Sequence, residues 1–187
     1  MRRRSTRSSV AVLLAVAVGL ACGSAGVSAQ TSAATAAERL SGTWRVNKSL
    51  SSKNDDIVAV APGQNYMGIT LLAQVRQVMR AFAEIPAELK IVATSADVTL
   101  SGGPSGDKYL VNNRAEPIIL GRATAQSRTS WERNGVRQLI DVAKGELIYR
   151  RTWQVSNDGK QLTVTITQDS GTGREDFKTI KTVYDRQ

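Results

Sequence analysis

From Leu89 onward, apolar side chains recur at every second position in short runs separated by turn residues. This rhythm predicts half-buried strands at 89–93, 97–101, 108–112, 118–132, 135–142, 146–155, 160–168 and 176–185. The clearest is Gln161-Leu162-Thr163-Val164-Thr165-Ile166-Thr167, where Leu162, Val164 and Ile166 alternate with polar residues. Asn157-Asp158-Gly159 ahead of it is a hairpin turn signal, because these residues tolerate positive φ; Asn134-Gly135 and Lys144-Gly145 give two more. A further strand is expected at 41–47, with Trp44 and Val46 on one face. The pattern changes only over 67–84, where Leu71, Leu72, Val75, Val78, Met79 and Phe82 recur at three- and four-residue spacing up to Pro86. That is one amphipathic helix. Residues 48–56 read as loop, and Ile57–Ala61 is a short apolar run stopped by Pro62-Gly63. Serial hairpins without βαβ units make the expected fold mainly β, an antiparallel up-and-down meander of about nine strands. It would close into a barrel or half-barrel with a helix inserted after the first strand.

The N-terminal segment follows other rules. Arg2, Arg3, Arg4 and Arg7 precede a chargeless apolar run, Val10–Cys22, and small residues end in Val27-Ser28-Ala29. This is the three-part pattern of a secretory signal, 1–29, with cleavage after Ala29. The apolar run is shorter than the ~20 residues that cross a bilayer core, and no later stretch comes close, so the mature chain is expected to carry no transmembrane segment. The destination is periplasmic or extracellular. Cys22 in Ala21-Cys22-Gly23 leaves acylation and a lipid-anchored envelope form as the alternative. Residues 30–39 read as a flexible lead and 40–187 as one domain.

Composition then narrows the chemistry. The 187 residues include no His and one Cys. Histidine-based triads, His-ligated metals and cysteine zinc sites are thereby excluded within the chain. Adjacent acids at Asp55-Asp56 and Glu175-Asp176 do not demonstrate the opposed carboxyls of a glycosidase. No nucleophile–base set or metal site can be named, so neither enzyme activity nor a cofactor is expected. Loss of the four leader arginines takes the net charge from +9 to +5, and all of that excess lies in residues 108–187. It suits an anionic envelope component or an acidic ligand more than nucleic acid, for which no motif is present.

Gly42-Thr43-Trp44 within LSGTWRVNKS, the hairpin YRRTWQVSNDGKQLTVT and the closing TVYDRQ together carry a family resemblance. The chain resembles small exported bacterial proteins with lipocalin-like, calycin-type barrels, in which a Gly-x-Trp opens the first strand. The resemblance covers about residues 40–48 and 126–187, and the helix at 67–84 departs from the plain eight-strand pattern. It implies a binding architecture without a defined ligand. It also implies that a basic side chain near the last strand packs across the opening indole; Arg186 matches by position, and such a stack supplies roughly 0.5–2 kcal/mol.

On a regular strand 146–155, Leu147, Tyr149, Arg151, Trp153 and Val155 share one face. An arginine among aromatic residues on an inward face is costly unless paired or wetted. Arg151 is therefore the candidate anchor for the acidic end of a ligand, with Tyr149, Trp153, Trp131 and Tyr184 as candidate cavity walls. The alternative places Arg151 at the rim, snorkelling or paired with Asp141 or Glu132. The expected function is binding of a small apolar or amphipathic anionic ligand by a monomer. The alternative is an interaction or envelope-structural module with a filled core.

Overall fold

The computed structural model describes residues 24–53, 69–102, 107–120, 122–142, 144, 147–171 and 179–187. Its elements in chain order are α1 (Ser24–Leu40), β1 (Gly42–Val46), α2 (Ile69–Ala83), β2 (Glu88–Ala93), β3 (Asp97–Ser101), β4 (Asp107–Leu110), β5 (Glu116–Leu120), β6 (Ala123–Glu132), β7 (Gly135–Asp141), β8 (Leu147–Val155), β9 (Gln161–Gly171) and β10 (Ile180–Arg186). The apolar run Ile57–Ala61 and Cys22 lie outside the described residues.

All ten strands form one antiparallel sheet in the order β4-β3-β2-β1-β10-β9-β8-β7-β6-β5. Each strand pairs with its sequence neighbours except β4 with β5, and one further pair joins the ends of the meander. β1 pairs with β10 (Trp44 opposite Arg186, Val46 opposite Tyr184), which curls the meander round on itself. β4 and β5 do not pair, leaving a seam in a nearly closed barrel. The core lies inside this wall, where inward positions alternate as the pleat requires: Leu89 and Ile91, Val98 and Leu100, Val136 and Ile140, Leu147, Tyr149, Trp153 and Val155.

Two expectations are corrected. Residues 118–132 are two strands, because Leu120 and Ala123 face each other across a two-residue link. The inward set shifts parity there, from Ile118 and Leu120 to Ala123 and Ala125, so a hairpin interrupts what looks like one run. This raises the strand count to ten. Residues 30–39 are not a flexible lead: they belong to α1, which docks through buried Ala36, Ala37 and Leu40. Small side chains let this helix lie close against the barrel end, where it contacts β2, β6, β7 and β8.

Hydrogen bonds fasten that helix. Arg39 donates to the carbonyls of Ser156 (2.7 Å) and Asn157 (3.1 Å) at the β8–β9 turn. The C-terminal carbonyls of α1 would otherwise be orphaned. Ser41 Oγ donates to Ala37 O at 2.9 Å, Trp44 Nε1 to Leu40 O at 3.1 Å, and Arg186 Nη2 to Arg39 O. The Arg186 guanidinium also lies 4.3 Å from the Trp44 ring centre. Across the barrel, α2 packs over β5 and β6 with Val78, Met79 and Phe82 buried and Arg76 and Arg80 exposed.

Candidate functional site

β6 turns the small residues Ala123, Ala125, Ser127 and Thr129 inward on the side over which α2 packs. A cavity of about 670 Å³ remains between the end of α2, β4 and β5, and the floor made by β8, β9 and β10. Its apolar lining includes Phe82, Leu100, Ile118, Trp153, Ile166 and Tyr184. From β5 it takes the outward-facing Pro117 and Ile119 as well as the inward Ile118 and Leu120. A space lined by both faces of one strand passes around its edge, so the cavity opens through the β4–β5 seam. Ile119, 70% exposed, forms one lip.

The other end of the seam is shut. Trp131 Nε1 donates to Ser95 O at 2.9 Å, bridging β6 to the β2–β3 turn, and Asn113 N donates to Thr129 O at 2.9 Å. Asn113 takes positive φ (56°) where the β4–β5 connection reaches β6.

Arg151 points inward from β8 and lines the cavity. Its Nε and Nη2 donate to Gln138 Oε1 of β7 at 3.1 and 2.7 Å, and Nη2 also donates to the Tyr109 hydroxyl of β4 at 2.9 Å. The guanidinium lies 4.5 Å from the Trp153 ring centre and 5.5 Å from that of Tyr109. Tyr109 in turn donates to Asp107 Oδ2 at 2.9 Å, and fully buried Gln138 donates to Ser127 Oγ at 3.3 Å. These charge-assisted bonds and ring contacts compensate the desolvation of the cation. Burial pushes the Tyr109 phenol above its ordinary value, Arg151 opposing, so it stays protonated at neutral pH.

Of the residues singled out in the sequence, Arg151, Trp153 and Tyr184 line the cavity. Tyr149 does not. It is buried beneath α2, edge-on to Phe82 at 5.5 Å and 84°, and burial alone pushes its phenol up to about 12. Trp131 is also outside the lining, because its indole is spent on Ser95 at the closed end of the seam. Trp44 and Arg186 sit with α1 at this same closed barrel end, outside the cavity lining. Asp107, Tyr109, Gln138 and Ser127 were not singled out. Gln138 carried a readable signal: in Val136-Arg-Gln138-Leu-Ile140 it occupies an inward position, and a buried amide demands a partner.

Among the described residues no group of His, Cys, Asp and Glu is placed to hold a metal ion, and no helix is long and apolar enough to cross a membrane.

No protein-family model and no curated protein matches the chain. Solved structures do. A Schistosoma mansoni fatty acid binding protein in complex with arachidonic acid superposes with a TM-score of 0.53 at 11% identity, covering 81% of this chain and 98% of that one. The REP1-NXSQ fatty acid transporter gives 0.52 at 13% identity over 81% and 98%. Apo Caenorhabditis elegans lipid binding protein 8 gives 0.51 at 10% over 80% and 96%. With its ten-stranded meander, β1–β10 closure and helix after the first strand, the chain has the calycin-type barrel fold of fatty-acid-binding and lipocalin-like proteins.

Proposed function

We propose that this chain is an exported, monomeric lipid carrier that holds one single-chain amphipathic molecule in the barrel, and that it is not an enzyme. The observation that carries the reading is a cavity of about 670 Å³ with largely apolar walls, Arg151 reaching in from β8 and an opening through the seam. That volume lies in the roughly 300–1,000 Å³ range of small-molecule sites. Each buried methylene of a chain contributes ~0.8 kcal/mol, while Arg151 and its polar partners orient the head. The similarly folded structures, a fatty acid transporter and fatty-acid- and lipid-binding proteins, support the same class of ligand. The space inside the barrel weighs against a filled-core interaction module.

Export rests on the leader pattern of residues 1–29. The intact mass of the protein from the native host's envelope or medium tests it: cleavage after Ala29 gives a chain starting at Gln30, whereas acylation leaves one starting at a lipid-modified Cys22.

Native mass spectrometry of the purified protein, followed by organic extraction, tests the carrier. The expected result is a monomer with a lipid-sized adduct at one-to-one stoichiometry. A protein that retains no lipid and takes up no added lipid overturns the reading.

A further inference from the structure

The directions of two hydrogen bonds are fixed by chemistry. A carboxylate cannot donate, so the single Tyr109 phenolic proton goes to Asp107 Oδ2; a guanidinium cannot accept, so Arg151 Nη2 donates to the Tyr109 oxygen. Tyr109 is therefore unable to offer its proton to a ligand head. Arg151 spends Nε and both Nη2 hydrogens on Gln138 and Tyr109, and only Nη1 has no partner among the described residues. The charged side chains lining the cavity are Glu84 and Asp107 against Lys108 and Arg151. Lys108 is held by Asp97 at 2.9 Å. Among these described lining residues the charges balance, and a second carboxylate on Arg151 would sit two hydrogen bonds from Asp107.

We propose that Asp107, acting through Tyr109, sets the head-group preference of this cavity in favour of an uncharged hydroxyl-bearing lipid, such as a fatty alcohol or monoacylglycerol, over an ionised fatty acid. A hydroxyl accepts one bond from Arg151 Nη1 and donates one to the remaining lone pair of the Tyr109 oxygen. An ionised carboxylate, with acceptors alone, meets one donor and a like charge.

This inference rests on the lipid-carrier reading, and one experiment separates their failures. Nile red bound to the delipidated protein is displaced near neutral pH with lauryl alcohol, monolaurin and laurate, which share one chain length. Lauryl alcohol and monolaurin are expected to displace it at roughly tenfold lower concentration than laurate. Asp107→Asn is expected to narrow that gap by tightening laurate more than lauryl alcohol. Laurate displacing as well as the alcohol from the native protein overturns the head-group preference and leaves the carrier standing, as does an Asp107→Asn protein with an undiminished gap. Should that variant not fold, the native series decides alone. Absence of Nile red binding, or of displacement by all three lipids, overturns both readings.

Discussion

Tyr109 and Arg151 are joined at 2.9 Å across the inside of the barrel, although β4 and β8 lie far apart in the strand order. Strand β4 has a backbone partner on one side only, β3. This polar strut holds its free edge from within, and the group it uses is the one best placed to meet a ligand head. Seam and head-group seat are thus mechanically linked.

The strut and its buried amide act as a unit. Arg151→Met leaves Gln138 buried with Ser127 as its remaining side-chain partner, at an expected cost of about 1–3 kcal/mol. Adding Gln138→Leu removes the orphaned amide and is expected to recover most of that loss, since replacing both partners by apolar groups can be nearly neutral. Urea denaturation of the two variants checks the order. Nile red displacement by lauryl alcohol is expected to weaken in both.

Arg186 ties three carbonyls, of Arg39, Ser41 and Gly159, while stacking on Trp44. Arg186→Ala is expected to lower stability by about 1–3 kcal/mol. Arg186→Lys is expected to restore little, because an ammonium lacks the planar fork that reaches several acceptors over an indole. Thermal unfolding of the three proteins provides the measurement.

Two turn glycines make opposite demands. A Cβ on Gly135 would lie 1.8 Å from the Trp153 carbonyl oxygen, a backbone atom unable to yield. Gly135→Ala is expected to cost more than about 3 kcal/mol or prevent folding. Gly159 has φ +73° but open space around it, so Gly159→Ala is expected to cost only ~1–2 kcal/mol of backbone strain. Soluble yield and denaturant midpoints distinguish them.

Alkaline stability is expected to fall in a defined window. Burial raises the phenols of Tyr109, Tyr149 and Tyr184, with Tyr149 pushed up to about 12. A group raised in the folded state contributes stability that is complete below the unfolded value, about 10, and lost as pH rises through the folded one. Unfolding free energy is thus expected to decline from about pH 10 toward pH 12, with tyrosinate absorbance of the buried rings appearing together with unfolding. Tyr149→Phe is expected to flatten that decline.

Much of this architecture is legible in side-chain rhythm. Alternation at Leu162, Val164 and Ile166 marks β9, the spacing of Val78, Met79 and Phe82 marks α2, and Asn157-Asp158-Gly159 marks the turn between β8 and β9. The reversal between Leu120 and Ala123 was hidden because inward residues on both sides keep a period of two and differ only in parity. Helix α1 escaped because its docking face is alanine, and small apolar residues among polar ones look like a linker until a close-fitting surface is known. In the site, Arg151 stood out as a charge on an apolar face. Its partners did not, because Asp107, Tyr109 and Gln138 are brought to it by strand order and barrel curvature, neither of which is written in local spacing.

Pairing of β1 with β10, and the grip of Arg186 on the end of α1, have a consequence for how the molecule comes into being. The ring cannot be completed until residues near 186 have left the ribosome, and its closing contacts span nearly the whole folded length of the chain. Such long-range closure is slow, on the order of milliseconds to seconds. Until it shuts, the facing edges of β1 and β10 stand without their partners.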